Sequence, residues 1–145
     1  MHSEIREQSF EPYAELLKYQ QAMQAAGRYG ATAVFVGSMR DLSEGDKVSA
    51  MELEHYPGMT EKYLHAISEQ AATHWNLIDS LILHRVGRVE PDDAIVLVAV
   101  WSAHRKDAFE ASRFLMEELK SRAPFWKKEQ TLEGERWVEN NTAGY

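Results

Sequence analysis

Three short stretches of this sequence carry side chains suited to chemistry on an anion. Gly37-Ser38-Met39-Arg40 places an arginine just past an apolar run, where a buried strand meets solvent and sites often form. Ser102-Ala103-His104-Arg105 places a histidine and an arginine where the most apolar run of the chain hands over to a helix. The free backbone N–H groups of such a helix start favour negative charge. Lys120-Ser121-Arg122-Ala123-Pro124-Phe125-Trp126-Lys127-Lys128-Glu129 then gathers cations and closes on a carboxylate. Guanidinium forks match phosphate oxygens. An amine crowded by other cations and partly withdrawn from water gives up its proton more readily, and can then act as base or nucleophile. Each feature also has a plainer reading. An arginine at a strand end commonly forms a surface ion pair, and Lys120 in a last helical turn complements the negative helix end. Lys127 and Lys128 fall on opposite faces of a strand, so only one can face a given pocket.

Other chemistries lack their residues. With no cysteine there is no thiol nucleophile, thiolate metal site or disulfide, and any sulfur handled must arrive on another molecule. His55, His65, His74 and His84 stand about ten apart, without the i, i+4 pairing of a helical zinc site, so no metal is expected. There is no G-x-G-x-x-G, no G-x-x-x-x-G-K and no G-x-S-x-G. The net charge of −7 argues against general nucleic-acid binding. That charge is uneven: Trp101–Lys128 holds seven cations against four anions, +3 there and −10 elsewhere. A basic segment in an acidic chain suits a small anionic ligand. No apolar run approaches the roughly 20 residues that span a bilayer. Met1–Glu7 lacks the basic start and apolar stretch of a secretion signal, so no membrane association and a cytoplasmic location are expected.

The elements that must position these residues follow from pattern. The chain of 145 residues, 44% hydrophobic, is expected to form one domain over 1–145. A short strand is expected over Ser3–Ser9, then a helix opening at Pro12 and running to near Gly27. Ala31–Val36 reads as a buried strand closed by Gly37, and Asp41–Lys47 as a flexible loop. Val48–Tyr56 alternates as a strand, with Met51, Leu53 and His55 on one face. After Pro57-Gly58, Met59, Tyr63, Ile67, Ala71 and Trp75 form a row in steps of four along a helix. Leu77–Leu83 reads as a strand. Ala94–Val100, apolar on both faces, reads as a central strand covered on two sides. A third helix begins around Ala103–Lys106, shows Ala108, Ala111, Leu115 and Leu119 on one face, and must end before Pro124. Phe125–Thr131 and Glu135–Val138 close as a hairpin. The mixture predicts an α+β fold rather than a doubly wound one.

From Gly30 to Trp137 the chain resembles the large-subunit (MoaE) family of molybdopterin synthases. The resemblance rests on Gly30-Ala31, Phe35–Asp41, Leu53–Met59, His84-Arg85-Val86-Gly87, Ser102–Arg105 with Ala108-Phe109, and Ala123–Glu129, six segments in order at family-like spacing. It implies an α/β-hammerhead-type fold with an additional antiparallel β subdomain, and a homodimer at the centre of a heterotetramer. A small ubiquitin-like sulfur-carrier subunit would insert its thiocarboxylated Gly-Gly terminus at each end. The implied substrate is cyclic pyranopterin monophosphate, converted to molybdopterin without a cofactor held by this chain. Carried over by position, Lys120 and Lys127 match the family's catalytic lysines. Arg40, His104 and Arg105 match residues that bind substrate and its phosphate, with Ser38, Met39, Lys128 and Glu129 completing the binding segments. The family's sites draw on both protomers. Met39 stands where valine is more usual, and the tail Glu139-Asn140-Asn141 lacks a basic residue expected in some relatives. A non-catalytic scaffold that docks the carrier, and a phosphate-ester enzyme unrelated to sulfur, are the alternative readings.

Overall fold

The computed structural model describes residues 1–43 and 45–138. In chain order its elements are β1 (His2–Arg6), α1 (Pro12–Ala22), β2 (Ala31–Ser38), β3 (Leu42–Ser43), β4 (Asp46–His55), α2 (Met59–His74), β5 (Asp79–Arg85), β6 (Gly87–Val89), β7 (Ala94–Ser102), α3 (Arg105–Ser121), β8 (Phe125–Thr131) and β9 (Gly134–Trp137). They form two sheets. The first has the order β1-β5-β7-β2, and the second runs β3-β4-β8-β9 with β6 on the other edge of β4. This is the α+β class expected, with an additional antiparallel subdomain.

The apolar run of β7 is explained by its place inside the first sheet. Leu97, Ala99 and Trp101 point to one face with Leu81 and Leu83 of β5, where Leu16, Tyr19 and Met23 from α1 and its C-terminal end cover them. Val96, Val98 and Val100 point to the other face, into a larger core with Leu64, Ile67 and Ala71 of α2 and Ala108, Ala111, Leu115 and Leu119 of α3. Both faces of the strand are therefore dry, which a period of two with apolar residues at every position requires. The expected face of α3 is the buried one.

Several boundaries differ from pattern, for physical reasons. β1 is His2–Arg6 rather than Ser3–Ser9, paired parallel to β5 from His2↔Leu81 to Arg6↔Arg85. Helix α1 stops at Ala22 because Met23 turns to extended backbone (φ −68°, ψ 136°), which lets its side chain join the core beneath. On α2 the buried residues are Thr60, Leu64, Ile67, Ser68 and Ala71, while Met59 is 56% exposed. A row in steps of four drifts around a helix of 3.6 residues per turn, so its Met59 end leaves the core face, while Trp75, just past the helix, packs against the core. The segment Asp41–Lys47, read as a loop, contains β3, paired back on the start of β4 through Leu42↔Lys47 and Ser43↔Asp46. Strand β6 is too short to announce itself, and only its pairing with Met51–Leu53 makes it one.

Candidate functional site

The third helix positions the site. β2 and β7 are antiparallel, with Ala31↔Ser102 at one end and Ser38↔Ala94 at the other. After β7, α3 packs back across β7 and β2, and so returns its last turn to the end of the sheet where Ser38–Arg40 leaves β2. Lys120 lies in that last turn. Pro124 follows the helix, and the chain enters β8, which pairs with β4 through Leu53↔Lys127 and Met51↔Glu129. Lys127 thereby faces Lys120.

Two adjoining cavities share these amines. One, of about 80 Å³, is lined by His84, Ile95, Met116, Phe125, Lys120 and Lys127 among others. The second, of about 140 Å³, is lined by Ser38, Met39, Arg40, Lys120, Lys127 and Glu129. Apolar side chains outnumber polar ones around the first, but His84 and the two lysines also open onto it. The second is more polar and carries the arginine. Burial first, then the charge of Lys120 and a hydrogen bond with it, push the Lys127 amine down to about 8, against the pull of Glu129. An amine at that value is divided between its charged and neutral forms near neutral pH.

Six of the nine expected residues meet at the second cavity, each in a different way. Ser38 closes β2 and is exposed, and Arg40 is exposed two positions on. Met39 is 2% exposed and is a wall rather than a polar ligand. Its N–H donates to the Asp93 carbonyl, and its own carbonyl accepts from the Asp92 N–H, both at 2.9 Å, which anchors the turn that presents Arg40. Glu129 is 3% exposed and accepts from Arg136 Nε at 3.2 Å. That arginine also reaches Asp46 at 2.6 Å and the Ser43 carbonyl at 2.8 Å. The buried carboxylate is thus neutralised by β9 and tied to β3, the short strand just beyond Arg40.

The other three lie elsewhere in this chain. Lys128 points to the opposite face of β8, as strand alternation requires. There it meets Glu135 at 3.4 Å and lies 5.2 Å from the Trp137 ring centroid. His104 and Arg105 are exposed at the start of α3, 15 residues before Lys120, or roughly 22 Å along a helix. Antiparallel pairing of β2 with β7 therefore puts the segments ending in Arg40 and Arg105 at opposite ends of the sheet. His104 caps α3 with extended backbone (φ −129°, ψ 149°), and its carbonyl accepts from Ser102 Oγ at 2.6 Å. Gly30 allows this turn to pack closely, since a Cβ there would stand 2.6 Å from the Ala103 carbonyl oxygen.

Sequence reasoning assigned no role to His84, although it stands within the His84–Gly87 segment. Nothing local marks it, because its contact with the lysines depends on β5, α3 and β8 converging. Among the described residues no group of three or more histidines, cysteines or carboxylates is arranged to hold a metal. No helix among them is long and apolar enough to cross a membrane. Glu139-Asn140-Asn141 lies outside the described residues.

Comparison with known proteins places these features among relatives. The family model described as MoaE protein matches residues 6–122, a span that includes Arg40, His104, Arg105 and Lys120 and stops short of Lys127. The molybdopterin synthase catalytic subunit of Ralstonia nicotianae is 54% identical over 137 residues, 93% of this chain and 75% of that protein. Two solved structures share the fold. The molybdopterin biosynthesis MoaE protein from Burkholderia ambifaria has a TM-score of 0.78 at 48% identity, covering 97% of this chain and 90% of its own. Molybdopterin synthase from Staphylococcus aureus has a TM-score of 0.82 at 33% identity, covering 94% of this chain and 96% of its own.

Proposed function

This chain belongs to the MoaE protein family, with an enzymatic role in molybdopterin synthesis, and from that premise we propose that it is the sulfur-transferring catalytic subunit of a molybdopterin synthase. The observation that carries the reading is the pair of amines, Lys120 and Lys127, shared by a smaller cavity beside His84 and Phe125 and a larger, more polar one bearing Arg40. The smaller cavity would take the thiocarboxylated Gly-Gly tail of a small ubiquitin-like carrier, and the larger one cyclic pyranopterin monophosphate.

Each residue then has a task set by its chemistry. The charged amine of Lys120 attracts the thiocarboxylate and holds its sulfur toward the substrate. Lys127, divided between its two forms, moves a proton as sulfur attacks the pterin side chain. Arg40 grips phosphate oxygens with its fork. Buried Glu129, neutralised by Arg136, sets the position of the strand and draws on Lys127 electrostatically. The absence of cysteine fits a subunit that supplies the pocket while its partner supplies the sulfur.

His104 and Arg105 cannot reach these amines within one chain. We assign them to the site of a second copy, so that a homodimer presents two complete sites, each built from both protomers, with Lys128 on the rim. The cytoplasm is the compartment proposed for the reaction.

The test is reconstitution of purified chain, thiocarboxylated carrier and cyclic pyranopterin monophosphate, with dithiolene product measured. Product from the wild type, and little from Lys120→Ala or Lys127→Ala variants that still bind carrier, is the expected result. Carrier binding without product from the wild type would make the chain a docking scaffold. Absence of carrier binding would overturn the reading altogether.

A further inference from the structure

His84, next to last in β5, stands in the wall of the smaller cavity and has no part in the reaction described above. It is in register with Val96 of β7 and only 6% exposed. Its Nδ1–H donates to the Arg85 carbonyl at 2.8 Å, which selects the tautomer whose Nε2 carries no hydrogen. The Phe125 ring lies flat on one face of the imidazole, with centroids 3.8 Å apart and planes 14° from parallel. The ring lines the cavity together with Lys120 and Lys127. Phe125 precedes Lys127 by two positions on β8, so both side chains project from the same face of that strand. The plate stacked on one therefore bounds the space of the other.

The groups facing this imidazole are Lys127 from β8, Lys120 from α3 and His55 from β4. Glu129 acts on Lys127 from the same strand, and Glu61 stands 3.5 Å from His55. Burial pushes His84 down to about 3, with Lys127, Lys120 and His55 adding to it, against the hydrogen bond to Arg85. The ring is thus neutral at any working pH and adds no third charge to a cavity that already holds two amines.

We propose that His84 is a positioning residue for Lys127: pinned by the Arg85 carbonyl and stacked on Phe125, its imidazole walls the lysine pair off from water and steadies the strand from which Lys127 projects. This rests on the reading of Lys127 as the working amine. A flat neutral ring excludes water from the amine while leaving it in contact with Lys120. A small side chain in its place admits water, relieves the burial that disfavours the ammonium, and returns Lys127 toward the ordinary lysine range.

The experiment is an NMR titration of the Lys127 side-chain amine in wild type, His84→Ala and His84→Phe, with the signal assigned by its loss in Lys127→Arg. A midpoint that rises by a unit or more toward 10.5 in His84→Ala, and stays close to the wild-type value in His84→Phe, is expected. In the reconstituted synthase the acid limb of the rate profile then moves the same way. At pH 7 and below the alanine variant turns over about tenfold more slowly, since well under both midpoints one unit is a tenfold change in neutral amine, and it recovers at higher pH. A merely structural loss would lower the rate at every pH without moving the midpoint. An unchanged midpoint in folded His84→Ala, or an equal rise in His84→Phe, overturns the proposal. If the alanine variant fails to fold, His84→Asn, which can keep the bond to the Arg85 carbonyl, is read by the same criterion. Full turnover by Lys127→Ala would remove the catalytic reading of that lysine, while the titration would still decide whether His84 controls its amine.

Discussion

At the scale of single residues, the proposed working pair is Lys120 and Lys127. Their proximity costs the charged form of Lys127 stability, and burial costs it more, so its proton leaves at about 8 instead of 10.5. Turnover that depends on neutral Lys127 therefore rises with pH through about 8 and levels off above it. Arginine keeps the charge and cannot give up its proton. Lys127→Arg is accordingly expected to bind carrier while losing roughly 10²–10⁴-fold in turnover, the usual range for a missing acid–base group. It should also lose the rise near pH 8. Product formation measured from pH 6 to 9.5 checks both points, and a variant that kept the wild-type profile would deny Lys127 any proton-transfer role. Lys128 provides the contrast. It neighbours Lys127 in sequence but faces Glu135 and Trp137, so Lys128→Ala should disturb turnover far less than Lys127→Ala.

At the scale of elements, the site depends on how α3 is hung between its two ends. Its start is set by the turn Ser102–His104, which packs against Gly30, whose N–H donates to the Ser102 carbonyl at 2.9 Å. Its far end is tied to α2 by Tyr63 donating to Glu118 at 2.5 Å. A methyl at position 30 would stand 2.6 Å from a backbone oxygen, and backbone cannot swing aside as a side chain can. Gly30→Ala is expected to destabilise the fold by about 1–3 kcal/mol, the range for overpacking, and to lower Tm by several degrees. Thermal unfolding by circular dichroism measures it. An unshifted Tm would mean that the approach of Gly30 to this turn is looser than its geometry indicates.

At the scale of the whole molecule, one chain brings together the amines and Arg40 and leaves Arg105 at the far end of α3. Completing the site from a second copy makes a specific prediction about mixtures. Arg105→Ala and Lys127→Ala homodimers are each expected to be inactive. Refolded together, half of the molecules become mixed dimers, in which one of the two symmetric sites holds no altered residue, so activity returns to about a quarter of wild type. Failure to recover activity in mixtures shown by mass spectrometry to contain mixed dimers would place Arg105 outside the site or confine the site to one chain.

Much of this is legible in the sequence. The apolar run of β7 announced a strand covered on both faces, and Ala108, Ala111, Leu115 and Leu119 announced the buried stripe of α3, because burial imposes a period on sequence that can be read directly. The basic character of Ser38–Arg40 and Lys120–Glu129 was equally plain, as was the opposition of Lys127 and Lys128 on a strand. Only the tertiary structure could decide which of these cations meet. Whether Arg40 and Arg105 lie together turns on the direction of β2 against β7, and whether Lys120 meets Lys127 turns on where α3 ends relative to β8. His84 joins them only because β5 brings it beneath Phe125, a contact between residues 41 positions apart. Local chemistry sets what each residue can do, while strand direction and helix length set the company it keeps, and the depressed pKa of Lys127 belongs to the company.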